Sequence, residues 1–199
     1  MESSMERPGE KEFLASYRQK DYPKPSVTVD LAVFAKDGDK RYLLMVRRKN
    51  HPYRGYWALP GGFVDPNETT EAAAHRELME ETSLGGQSLV NFGVYSTPNR
   101  DPRGWTISVA YLAEPRLADC VVEAADDAAD ARWFEILAER NEDGLFTFKL
   151  YANGAQANAV LRLTRNEFDS LTFTVESSEL LAFDHAVIVA DACKRIGLF

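Results

Sequence analysis

Cysteine is scarce in this chain: Cys120 and Cys193 are the two among 199 residues. Two cysteines make no disulfide scaffold, and an intracellular, cytoplasmic location is the simpler expectation. Long apolar runs are also missing. No stretch approaches the roughly 20 residues of a membrane-spanning helix, and the N-terminus lacks the apolar core of a secretion signal, so no membrane partner is expected. Positive charge is in deficit, with 23 Lys and Arg against 31 Asp and Glu and a formal net charge of -8. That balance disfavours a nonspecific nucleic-acid surface, although it permits a local basic pocket. No internal repeat or low-complexity tract is evident. What is there is 45% apolar and 27% charged, enough to bury a substantial single core.

Acidic oxygens are concentrated in one segment, Gly61-Gly62-Phe63-Val64-Asp65-Pro66-Asn67-Glu68 running into Arg76-Glu77-Leu78-Met79-Glu80-Glu81. On a helix, Glu77, Glu80 and Glu81 fall within an arc of about 100°, flanked by a narrow apolar stripe at Ala74 and Leu78. Like charges at these spacings cost a few tenths of a kcal/mol each unless a cation compensates them, and hard divalent cations, Mg²⁺ or Mn²⁺, are the natural compensators. A solvated acidic face is the other reading of the same pattern. Gly61-Gly62 follows Trp57-Ala58-Leu59-Pro60, the end of a strand or its exit turn, and reads either as the close backbone approach that a phosphate or metal-bound oxygen requires or as a flexible turn. Thr69 or Thr70 is placed to cap the helix start, with Glu71 in its first turn and alanines behind it. Arg76, beside Glu80, is placed to hold a carboxylate in position, with direct substrate contact as the other reading.

The spacing of Gly62, Glu68, Arg76-Glu77-Leu78, Glu80-Glu81 and Ser83-Leu84 resembles the signature of the Nudix hydrolases. One position departs from it: Ser83 stands where the family usually has the glycine that would serve a helix C-cap. The resemblance implies an α/β/α sandwich with a mixed β-sheet, whose loop-helix-loop unit binds divalent metal and cleaves a nucleoside diphosphate linked to another group. It further implies Glu77, Glu80 and Glu81 as metal ligands and Glu68 in a supporting part, with Arg76. A further acidic residue outside the motif often completes such a site. The segments 24–30, 57–64 and 96–111 also resemble the ADP-ribose-pyrophosphatase-like branch. ADP-ribose, cleaved to AMP and ribose 5-phosphate, is therefore the leading substrate expected, with other ADP-sugars and NAD-related dinucleotides close behind.

Residues 1–23 are expected to form a polar and aromatic arm or a short helix around Phe13, Leu14 and Tyr17, and residues 24–199 the domain. Strands are expected at Val27 to Phe34 and Tyr42 to Val46, with a turn between them. Arg47-Arg48-Lys49 and Arg54 then bracket the glycine loop, as a solvated rim or as phosphate-attracting groups; Arg47, Arg54, Gly61 and Gly62 are the substrate-binding candidates here. Further strands are expected at Leu89 to Tyr95 and Trp105 to Leu112, and the connection between them carries Arg100 and Arg103. Each of these arginines is read either as a substrate or dimer contact or as a local partner of Asp101. The acidic stretch 118–130 reads as a loop. Glu123 is chosen from it as the residue that supplies the last metal ligand or activates water, so the catalytic candidates are Glu77, Glu81 and Glu123.

Trp133 and Phe134 read as core or pocket wall. Strands at 145–150, 159–163 and 171–175, with a turn at Asn153-Gly154, form a late β insertion at about 145–175. Asp184 is a candidate N-cap for a terminal helix, and His185 reads as structural, with a catalytic role as the other reading. A homodimer is expected from the aromatic arm and the extra strands. The competing class is a nucleotide-sensing or transcription-regulating protein on the same fold. Such a regulator needs a DNA-reading element, for which this chain offers only the basic pair Lys194-Arg195 near its end at Phe199, so an enzyme without nucleic-acid partners is expected.

Overall fold

The computed structural model describes residues 9–17, 22–117, 120, 128–167 and 170–199. A short helix α1 (Glu10–Ser16) precedes β1 (Ser26–Asp37), β2 (Lys40–Arg48), β3 (Trp57–Ala58) and β4 (Gly61–Phe63), then α2 (Thr70–Thr82), β5 (Val90–Tyr95) and β6 (Thr106–Ala113). After these come β7 (Ala128–Arg140), β8 (Leu145–Ala152), β9 (Ala155–Arg165), β10 (Leu171–Glu179) and the final helix α3 (His185–Arg195). Among the described residues the strands form one sheet in the order β10-β9-β8-β7-β2-β1-β6-β5, with β3 on β2 and β4 on β1. β1 runs parallel to β6 and antiparallel to β2 and β4, so the sheet is mixed, as expected.

β1 explains the layering. Its residues from Val29 to Ala35 are buried, because both faces of a central strand are covered. Alternate side chains point to opposite faces. Val29, Leu31 and Val33 join Ala73, Ala74 and Leu78 of α2 in one core. Ala32 and Phe34 join Phe134, Phe146, Ile188 and Val189 in the other, under α3. Ala73 and Ala74 of α2 are fully buried, and their small side chains bring the helix, with its acidic face, close to the sheet.

The late strands are longer than the sequence suggests and extend the sheet as a continuous meander from β7. Asn153-Gly154 forms the expected two-residue turn, with Ala152 opposite Ala155 and Gly154 at φ 72°. Phe146, Phe148, Leu150 and Leu161 are fully buried along them. The C-terminal Phe199 stacks on Phe146 at 4.2 Å between ring centroids, so the chain end closes this part of the core. β7 starts at Ala128, inside the stretch expected to be loop. At the other end, α1 forms where a short helix is expected, but none of its residues is buried. No helix is long and apolar enough among the described residues to cross a membrane.

Candidate active site

Two local devices place the acidic helix. Thr69 Oγ1 accepts the Ala72 N–H at 3.1 Å, satisfying a free donor of the first turn. At the other end Ser83 takes the left-handed conformation, φ 60° and ψ 12°, while its N–H reaches Met79 O. The serine thus ends the helix in the geometry a glycine usually supplies.

The preceding loop is fixed against β1. Gly61 has φ 152°, and a Cβ there would stand 2.1 Å from Val29 O, so no other residue fits this backbone without displacement. Its N–H donates to Glu81 Oε2 at 2.9 Å. Gly62 faces Glu77, whose Oε1 lies 2.3 Å from where a Cβ would be. The paired glycines therefore seat two carboxylates of the helix.

Arg76 uses its whole guanidinium fork. Nε and Nη2 bind the two oxygens of Glu68 at 2.9 and 2.8 Å, Nη1 reaches Glu77 and Glu80 at 2.8 and 3.1 Å, and Nη2 also reaches Phe63 O at 3.0 Å. The guanidinium holds the Glu68 carboxyl down at about 2, helped by the Asp65 N–H. Burial instead raises Glu77. The Glu81 carboxyl goes up to about 8, because burial outweighs the Gly61 N–H and the Arg48 charge.

Gly61, Gly62, Arg76, Glu77, Glu80 and Glu81 line a cavity of about 420 Å³ together with Arg47, Arg48, Arg100, Arg103, Phe63 and Phe183. Arginine meets carboxylate and aromatic ring around it. Arg103 forms a bidentate pair with Asp101, Nη2 to Oδ2 at 2.7 Å, and lies over the Phe63 and Phe183 rings at 4.9 and 5.4 Å. Arg48 lies over Phe183 at 4.8 Å. Of the two expected roles, Arg103 thus has the local pairing with Asp101 and still borders the cavity. Arg100 does not join Asp101. Its Nε and Nη2 bind both Asp184 oxygens at 2.8 and 2.6 Å, and with 5% of its side chain exposed it is engaged internally. The same contact explains why Asp184 makes no capping bond at the start of α3.

Asp30 and His185 belong to this wall, and no site role is assigned to Asp30 from the sequence. Burial would raise the Asp30 carboxyl, but His185, Ser108 and Arg100 bring it down to about 2. The signal was a single charge inside the apolar run Val27 to Phe34. Phe183, at φ 52°, is the other residue missed, and nothing local in the sequence marks it. Arg54 is exposed and outside the cavity lining. Arg47 borders the cavity while its Nε binds Gly55 O at 3.1 Å. Glu123 lies outside the described residues.

Among the described residues no three His, Cys, Asp or Glu side chains are already gathered to hold a metal ion. Arg76 occupies oxygens of Glu77 and Glu80, and Glu81 is turned to Gly61. The chemistry of the donors nevertheless suits a hard divalent cation: all are carboxylate oxygens, and Glu81 is a buried carboxyl in need of compensating positive charge.

The family model described as NUDIX domain matches residues 24–153. The chain is 43% identical over 106 residues to the ADPR responsive transcriptional repressor NtrR of Acinetobacter baylyi, a match covering 52% of this chain and 42% of the repressor. It is 41% identical over 126 residues to an ADP-ribose pyrophosphatase of Methanocaldococcus jannaschii, covering 63% of this chain and 70% of that protein. The chain thus spans less than half the length of the first of these relatives. A crystal structure of a MutT/nudix family protein from Enterococcus faecalis superposes with a TM-score of 0.76 at 33% identity, covering 94% of this chain and 68% of that one.

Proposed function

Because this chain belongs to the Nudix family, with residues 24–153 forming the matched domain, we propose that it hydrolyses the pyrophosphate of a nucleoside diphosphate derivative with Mg²⁺ or Mn²⁺. ADP-ribose is the substrate we infer first, giving AMP and ribose 5-phosphate, and the similarity to an ADP-ribose pyrophosphatase supports it. The observation that carries the reading is the facing of Glu77, Glu80 and Glu81 with Gly61 and Gly62 in one cavity edged by arginine.

Glu77, Glu80 and Glu81 would hold the cation, which when bound neutralises phosphate oxygens and lowers the pKa of bound water. Arg76 keeps Glu77 and Glu80 oriented and supplies the positive charge that lets Glu68 stand beside them. Arg48 and Arg103 border the diphosphate volume, where a guanidinium donates in a directed fork. Arg47 lies on the same edge. Glu77, or the downstream Glu123 chosen from sequence alone, would accept the proton of the attacking water.

A second reading is a nucleotide-sensing regulator, favoured by the similarity to an ADPR responsive repressor. Matching residues serve binding as well as turnover on one fold. Incubation with ADP-ribose, other ADP-sugars and NAD-related dinucleotides, with products identified by mass spectrometry, separates the two. Metal-dependent release of AMP is expected. Binding of ADP-ribose without product, together with sequence-selective DNA binding, would favour the regulator.

A further inference from the structure

The glycine loop is gripped from the far end of the chain. Trp57 N–H donates to Leu180 O at 2.8 Å, and Trp57 O accepts the Ala182 N–H at 2.8 Å. Just beyond, His185 is 4% exposed, and its Nδ1 accepts the Leu59 N–H at 2.8 Å. A ring nitrogen that accepts a backbone N–H carries no proton, so the proton of the neutral imidazole sits on Nε2. Nε2 faces Asp30 Oδ1 at 3.3 Å. Asp30 is fixed in turn by the Ser108 hydroxyl and by Arg100, whose guanidinium binds Asp184, the residue before His185.

Between this anchored Leu59 and the acidic helix there is little slack. Pro60 has a restricted φ, and its carbonyl accepts the Leu31 N–H at 2.8 Å. Gly61 comes next, pressed against Val29 O, with its N–H on Glu81. A shift at Leu59 is therefore carried to the donor that Glu81 uses.

We propose that His185 is a positioning residue for the acidic site: by holding the Leu59 N–H it sets where Gly61 presents its own N–H, and so where the Glu81 carboxylate stands. The proposal rests on the reading of Glu81 as a metal ligand. A histidine that merely satisfied polar groups in the core would affect stability alone. A positioning histidine also moves the metal affinity, because groups that orient ligands typically change it about 10- to 100-fold when removed.

His185→Leu keeps bulk and removes both hydrogen bonds, whereas His185→Gln keeps an acceptor and an N–H donor. In metal-free protein followed by NMR, His185→Leu is expected to speed amide exchange at Leu59 and Gly61 relative to the rest of the sheet. Mn²⁺ binding, followed by electron paramagnetic resonance, is expected to weaken about tenfold or more. His185→Gln is expected to recover most of both. Ile188→Ala, in the core of α3 but outside this chain of bonds, shows what loss of packing alone does. If His185→Leu does not fold, His185→Asn, too short to reach Leu59 and Asp30 together, takes its place. Wild-type exchange at Gly61, wild-type Mn²⁺ affinity, no recovery in His185→Gln, or an equal loss in Ile188→Ala would each overturn the inference. A wild-type protein that binds no Mn²⁺ overturns the metal reading along with it, which tells the two failures apart.

Discussion

Glu77 lies in the space that a side chain on Gly62 would fill: a Cβ there would stand 2.3 Å from Glu77 Oε1 and 2.4 Å from its carboxyl carbon. The neighbouring glycine is different, since its Cβ would meet the backbone oxygen of Val29 at 2.1 Å. A carboxylate can swing away, but a paired strand cannot. Gly62→Ala is expected to fold with a melting temperature near wild type and to lose activity by about 100-fold, the scale of a 1 Å misplacement. Gly61→Ala is expected to lose at least about 2 kcal/mol of stability, through strain and clash. Thermal melts and turnover of both variants check this; unchanged activity in Gly62→Ala would contradict it.

Arg76 is expected to resist conservative exchange. Lysine offers a point charge in place of a fork and cannot serve Glu68, Glu77, Glu80 and Phe63 O together. In Arg76→Lys the Glu68 carboxyl, held at about 2 in the wild type, should rise toward its ordinary 4.5. A depressed folded pKa contributes stability above the unfolded value that is lost as pH falls through the folded one. The acid limb of the wild-type stability curve between about 4.5 and 2 should therefore flatten in the variant. Carboxyl NMR titration measures the shift directly, and an unmoved Glu68 would refute the assignment.

Glu81 gives the opposite sign. Burial raises its folded pKa to about 8 from 4.5, so the metal-free protein binds an extra proton that the unfolded chain has released. Its stabilising contribution is full below about 4.5 and is lost as pH rises through about 8. Melting temperatures in a chelator should fall over that window in the wild type and less in Glu81→Gln. Added Mg²⁺ should narrow the gap at the alkaline end. Parallel curves for the two proteins would contradict the shift.

Legibility from sequence followed the range of the interactions. The cap at Thr69, the apolar stripe through Ala74 and Leu78, and the Asn153-Gly154 turn are written in neighbouring residues. Ser83 departs from the family pattern, yet it adopts the left-handed conformation that glycine would take. Asp184 is the N-cap position of α3 as the sequence suggests, but its carboxylate makes no capping bond, because Arg100, 84 positions away, binds it. The contact between His185 and Leu59 spans 126 positions, and only the folded sheet brings Asp30 to meet it. Phe13 of α1 stays exposed: a short helix is written locally, whereas burial depends on distant residues.

Hydrolysis of ADP-ribose by the wild type, Glu77→Gln and Glu81→Gln, with and without Mg²⁺ and with products weighed by mass spectrometry, tests the central claim most directly. The account predicts AMP and ribose 5-phosphate from the wild type only with the cation, and a loss of about 100-fold or more in each variant, the scale of removing acid-base or metal assistance. Hydrolysis that is indifferent to Mg²⁺, or undiminished in both variants, would contradict it.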